Sequence, residues 1–286
     1  MFKKIAIGVM LFFMAVSVPV IVPSCNSSSS PTGPGNNSNG TSVNTPTNQY
    51  SVIVMVAYVG GLGGCAMGDV TKNVNGVSQP VTDAQVAINS VNLDTMDGMY
   101  MSTGVSTNAG THYTLTVTEG GTTIATGTAI MPSTPVILTP ADNSAHAINT
   151  SLPVTWSAVQ NATSILISVA YQDTLGNDTT IYEPASLPPS QTSVTIPQTV
   201  FNTDGTYKID VNAIYGLPPN LSVIDSTQKG YNISGPAGMF TAISEAIDTI
   251  YVNTGLLVKK PMGKKRVESA RDKVLKIARK WFPGIF

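Results

Sequence analysis

Strict alternation is what most limits the folds open to this chain. Tyr113, Leu115 and Val117 alternate with Thr114, Thr116 and Thr118, and Tyr207, Ile209, Val211 and Ala213 alternate with Lys208, Asp210 and Asn212. Successive side chains of a strand point to opposite faces, so each run reads as a half-buried β-strand. Tyr207, Ile209, Val211 and Ala213 are expected to face a core, and Lys208, Asp210 and Asn212 to face water. Residues 51–59 form a Val/Ile-rich run, Val86 and Ile88 alternate with polar neighbours, and Gly120-Gly121 turns the chain into residues 122–131, closed by Pro132. Charged residues make up only 11% against 42% hydrophobic, which argues for a folded body rather than a disordered one. The expected class is mainly β: two β-sandwich domains, 50–132 and 133–255.

Upstream of this body the character changes. Residues 1–24 open on Lys3-Lys4, continue as an apolar run and end in small residues, the pattern of a secretory signal. The alternative is an uncleaved transmembrane anchor, since the run approaches the ~20 residues that span a bilayer; Pro19 and Pro23 argue against a continuous helix there. The signal ends Val22-Pro23-Ser24-Cys25, which resembles the lipobox of bacterial lipoproteins. That resemblance implies lipidation at Cys25, a membrane held through the lipid, and an address in the bacterial cell envelope, at the outer membrane or cell surface. Residues 25–49 are almost wholly Asn, Ser, Gly, Thr and Pro after the cysteine, and read as a spacer that cannot bury enough apolar surface to order itself. With Cys25 lipidated, Cys65 has no partner for a disulfide within the chain.

Two further resemblances concern the body. The stretch from Pro80 through Ile88, Gly98-Met99-Tyr100 and Gly110 to Val117 resembles prealbumin-like, carboxypeptidase-regulatory sandwiches. After Pro132-Ser133-Thr134-Pro135 come Leu152-Pro153-Val154-Thr155-Trp156, the apolar run at 162–169 and Gly205-Thr206-Tyr207-Lys208-Ile209-Asp210-Val211-Asn212-Ala213. This order resembles a fibronectin type III domain, an Ig-like β-sandwich with a Trp on its second strand. The resemblance implies Trp156 as a core anchor. Residues 240–252 are expected to give the last strand or strands, with 242–247 open to a helical turn instead.

No catalytic constellation emerges. Gly61, Gly63 and Ala66 fit a relaxed dinucleotide fingerprint, but the fingerprint needs a helix next, and the following residues run into the turn signal Asn75-Gly76. Cys65 as a nucleophile needs a base; His112 and His146 are the chain's two histidines, and nothing in the spacing brings either to it. Asp94 and Asp97 supply too few oxygens for a calcium loop. No catalytic residue, cofactor site or metal site is expected. Asp94-Thr95-Met96, Asp173-Thr174-Leu175 and Asp248-Thr249-Ile250 look like the Asp-Thr-apolar O-glycosylation signal of some Bacteroidota, a triplet short enough to arise by chance.

The charge is distributed unevenly. From Lys259 onward ten Lys/Arg face only Glu268 and Asp272, a balance of +8, whereas between Cys25 and Val258 three Lys face fourteen Asp/Glu, a balance of −11. Such asymmetry points to an acidic partner for the basic segment. At 100° per residue, Val267, Ala270, Val274, Leu275, Ile277, Ala278, Trp281 and Phe282 share one side of a helix, with Arg271 intruding among them. Residues 256–286 are therefore expected to form a basic C-terminal amphipathic α-helix. Lys264, Lys265, Arg266, Lys273, Lys276, Arg279, Lys280 and Trp281 would touch an anionic envelope surface or a protein partner; alternatively the helix packs on the body. Nucleic acid is not an expected partner for an exported chain. The sequence thus reads as a non-enzymatic envelope lipoprotein with a structural, adhesive or protein-interaction role. The alternative is a carbohydrate-binding or substrate-capture lipoprotein of an uptake system, with Tyr171, Tyr182, Tyr215 and Tyr231 as its aromatics unless these are core.

Overall fold

The computed structural model describes residues 50–59, 63–75, 77–96, 98–217 and 231–253. The first part of this body supplies β1 (Tyr50–Val59), β2 (Gly63–Val74), β3 (Val77–Pro80), β4 (Gln85–Ile88), β5 (Val91–Asn92), β6 (Asp94–Met96), β7 (Met99–Thr103), β8 (His112–Glu119) and β9 (Thr122–Ile130). The second supplies β10 (Ile137–Thr139), β11 (Ser144–Ala147), β12 (Leu152–Trp156), β13 (Ser164–Gln172), β14 (Asp178–Tyr182), β15 (Ser193–Ile196), β16 (Gly205–Tyr215), β17 (Ile233–Ser234) and β18 (Ala237–Asn253). Among the described residues there is no α-helix. The expected helix of 256–286 lies outside them, as do the signal 1–24 and the spacer 25–49.

Hydrogen bonding gathers these strands into three sheets. The principal one has ten strands, in the order β14-β13-β16-β18-β1-β2-β7-β6, with β11 joined to β18 and β3 to β2. A five-stranded sheet runs β17-β9-β8-β4-β5, and a three-stranded sheet runs β10-β12-β15. Both smaller sheets lie on the same face of the principal one. Phe240 and Ala242 of β18 join Val52, Val54, Val86, Leu115 and Val117 in one core. Ile250 and Val252, of the same parity on the same strand, join Trp156, Ile165, Val211 and Ile196 in another.

The second of these cores has the layering that the fibronectin type III resemblance implies. Trp156 on β12 is 2% exposed and Tyr207 on β16 is 1% exposed. The Tyr207 hydroxyl donates to the Thr203 carbonyl at 2.9 Å, a bond back to the preceding corner like the tyrosine corner of Ig-type sandwiches. Phe201 stacks edge-on to Tyr207 at 5.4 Å between ring centroids. The division expected at 132/133 separates the strands that serve the five-stranded sheet from those of the three-stranded one, β17 excepted. The principal sheet crosses that division, because β18 pairs in parallel with β1 from Ser51↔Ala237 to Ala57↔Ile243. All described residues fall in one compact unit.

One expectation is corrected, and one alternative is decided. Asp210 and Asn212 do not face water: they are 6% and 1% exposed. β16 is an interior strand flanked by β13 and β18, and from Ile209 to Ile214 every residue is buried. Alternation assigned the two faces of the strand correctly, but the face opposite the core is also covered. Residues 242–247 form no helical turn. They continue β18, a single strand of 17 residues, because β16 pairs along it from Ala242 to Val252.

Truncating Trp156 to Ala is expected to cost about 3–5 kcal/mol, the range for large aromatics in a core. At roughly 2–4 °C per kcal/mol for a unit of this size, the melting midpoint should drop by about 10 °C. A wild-type melting curve for Trp156→Ala would contradict the role of this side chain as the anchor of the core.

Candidate functional site

A strand that is apolar without interruption is covered on both sides. β1 is such a strand, buried from Val52 to Ala57. Its even-numbered residues face the five-stranded sheet. Ile53, Met55 and Ala57 turn the other way and meet Cys65 and Met67 of β2, Met99 and Met101 of β7, and Met239 and Ile243 of β18. Among the described residues Ile214 and Leu217 complete this cluster, to which neither smaller sheet contributes a residue. Register places Thr241, Met55, Met67 and Met101 side by side across four strands. We call this the outer face.

Toward β16 and β13 the outer face becomes polar while staying buried. Ser164, Ser168, Asp210, Asn212 and Thr241 are all under 9% exposed. Asn212 Nδ2 donates to Asp210 Oδ1 at 2.8 Å, whereas Asn212 Oδ1 and Ser164 Oγ find no hydrogen-bond partner. On the other flank Asp69 stands opposite Ile53. Burial pushes its carboxyl above the usual carboxylate range, opposed by the hydrogen bond from the Val70 backbone. This face carries a patch of buried polar side chains, the Asp210 carboxyl among them, beside a bed of methionines. The patch escaped the sequence reading. Its signal was present in the unbroken apolar run of residues 52–59, which marks burial on both faces, and in Met55, Met67, Met99 and Met101.

The residues singled out from sequence separate into two groups. Cys25 and the basic residues Lys264, Lys265, Arg266, Lys273, Lys276, Arg279, Lys280 and Trp281 lie outside the described residues, as does Asp97. The others are placed. Cys65 is fully buried and desolvation pushes its thiol up to about 12, which leaves it protonated and unreactive at neutral pH. His112 opens β8 in the five-stranded sheet. His146 on β11 packs edge-on against Phe201 and bonds Thr150 through Nε2. Neither histidine sits in the cluster around Cys65.

Gly64 has a packing reason to be glycine: a Cβ there would lie 1.8 Å from the Val105 carbonyl oxygen. The residues that follow are β2, a strand, so the dinucleotide fingerprint lacks its helix. Asp94 begins β6 and is exposed, and no group of three His, Cys, Asp or Glu able to hold a metal occurs among the described residues. The four tyrosines are not brought together: Tyr171 and Tyr182 pack on the core around Trp156, Tyr215 on the core around Val54, and Tyr231 on the outer-face cluster. A depression of about 210 Å³ between Ile88, Leu93 and Val105 is smaller than the roughly 300–1,000 Å³ usual for small-molecule sites.

No family model and no curated protein matches the chain. Among solved structures it is similar to fibronectin(III)-like modules of CbhA from Clostridium thermocellum, at 13% identity and a TM-score of 0.23, covering 74% of this chain and 100% of that one. It is also similar to the FN1–FN3 domains of chicken CNTN1, at 9% identity and a TM-score of 0.19, covering 70% and 89%. The fold assignment therefore rests on the strand order and cores described above: a mainly β chain of sandwich layers.

Asp69 gives a pH dependence with a definite sign. Its folded pKa is raised, so between the ordinary carboxylate range and that higher value the folded chain holds a proton that the unfolded chain releases. Stability is full below this window and falls as pH rises through it. Asp69→Asn should melt higher than wild type at pH 7, and the difference should shrink toward pH 3. Thermal melts of both proteins at the two pH values check this; a gap that widens in acid contradicts it.

Proposed function

We propose that this protein is a non-enzymatic lipoprotein of the bacterial cell envelope, tethered through Cys25, whose β-sandwich body serves a structural, adhesive or protein-interaction role. The non-catalytic part of this reading is supported by the fate of the reactive side chains. The one thiol of the body is buried and protonated, and the histidines stand in other elements. Among the described residues, the ion pairs of Lys72 with Glu119 at 3.4 Å and of Lys208 with Asp178 at 2.7 Å join the principal sheet to the five-stranded one and β16 to β14 across β13. The address rests on the signal-like residues 1–24 ending at Cys25 and on the uncharged spacer that follows. The prealbumin-like reading of the first sandwich and the fibronectin type III reading of the second belong to the same proposal: both are modules that carry contacts on sheet edges and loops.

Metabolic labelling with palmitate tests the tether. Wild type is expected to incorporate label and Cys25→Ser to lose it; equal incorporation by both would remove the lipoprotein reading.

The basic segment is proposed as a second, reversible contact with an anionic envelope surface, through Lys264, Lys265, Arg266, Lys273, Lys276, Arg279 and Lys280, with Trp281 at the interface. Each Lys or Arg near such a surface contributes about 1 kcal/mol, and salt screens it. Full-length, non-lipidated protein (Cys25→Ser) should bind anionic vesicles at low salt and neutral ones hardly at all. Changing Lys273, Lys276, Arg279 and Lys280 together to Gln should weaken that binding by about two orders of magnitude or more. Binding that ignores both salt and these substitutions contradicts the contact.

A further inference from the structure

We propose that residues 264–282 form an amphipathic helix whose apolar stripe seats on the outer, methionine-rich face of the principal sheet. The inference does not depend on the lipid tether. It starts from an imbalance in the layers. Met55 and Cys65 are fully buried and Met239 is 1% exposed, yet both smaller sheets cover the opposite face and give this cluster no residue. A bed of thioethers adapts its shape to an apolar helix better than branched side chains do. The stripe of Val267, Val274, Leu275, Ile277 and Ala278 supplies such a helix.

Charge selects the occupant further. On the described strands the outer face carries Asp69, Asp94, Asp178, Asp210 and Glu245, with Lys208 as its one cation. Lys208 is committed to Asp178 at 2.7 Å. The segment from Lys259 onward carries a balance of +8. Arg271, the basic residue within the apolar stripe, is a pure donor. It matches a face whose buried Asn212 Oδ1 lacks a donor beside the carboxylate of Asp210. Arg271 is therefore no flaw in the stripe: seated on this face, it brings a donor to Asn212 Oδ1, which an all-apolar helix would leave buried and unsatisfied.

Length permits the placement. β18 ends at Asn253, and residues 254–263 then span up to about 33 Å when extended. Ile243, at the methionine bed, lies ten residues back along β18, also about 33 Å at strand rise, and Ile247, beside Asp210, is nearer. A helix of 19 residues is about 28 Å long, enough to cross six strands spaced about 4.8 Å apart. The basic side chains of Lys273, Lys276 and Lys280 are left on the solvent side, where the proposed anionic contact needs them.

Two measurements on the full-length chain, with Cys25→Ser so that Cys65 is the sole thiol, test this seating. In native buffer Cys65 should react with a thiol reagent at least ten-fold faster in Leu275→Asp than in the control Lys276→Asp; equal rates overturn the proposal. The second keeps the fold intact should Leu275→Asp unfold. A photoreactive phenylalanine analogue placed at Val274 or Ala278 should cross-link within the same chain to Met55, Met67, Met101 or Met239, and one placed at Lys276 should not. Cross-links to residues 218–230 instead, cross-links between two copies, or none from the stripe positions would each overturn it.

Discussion

The parallel pairing of β1 with β18 is the contact on which the rest of this architecture depends. It joins strands whose partners are almost two hundred residues apart in sequence, Ser51 with Ala237 and Ala57 with Ile243. Without it the chain would hold two sandwiches strung on a linker; with it, their sheets become one. The approach is close enough that only glycine fits at its start. A Cβ on Gly238 would lie 1.9 Å from the Val52 carbonyl oxygen, and its φ of +120° is one that other residues rarely adopt.

Fusing the sheets has a consequence for burial. Both smaller sheets stack on the inner face, so the outer face runs continuously from the Met101 region of β7 to Ser168 on β13. Strands in the middle of such a sheet are buried twice over. That is why Cys65 is inert, why Asp69 is reluctant to ionise, and why Asp210 and Asn212 are bonded to each other instead of to water. Buried polar groups cost stability unless they are satisfied.

The functional reading follows from how the polar groups are used. Ion pairs, tyrosine hydroxyls and Asx-type turns stitch strands and corners: Tyr100 donates to the Val81 carbonyl at 2.6 Å, and Asp173 Oδ1 accepts from the Leu175 and Asn177 backbone at 2.8 Å each. Among the described residues, these side chains are spent on holding strands and corners in place.

Alternation and turn residues were enough to place β1, β4, β8, β9 and β16. Tyr113 to Val117 and Tyr207 to Ala213 face the cores as their period requires, Trp156 anchors the second core, and Asn75 turns the chain with φ 56°. These are local properties, set by the pleat and by the steric limits of single residues. What each face of the principal sheet meets was decided only in three dimensions. Parallel pairing leaves no hairpin between its strands, so nothing near Tyr50 or Ala237 announces that the two belong side by side. The burial of Asp210 and Asn212, polar by alternation and enclosed by topology, follows from that pairing, because a strand's period tells which residues share a face and only the layers around it decide whether that face is wet.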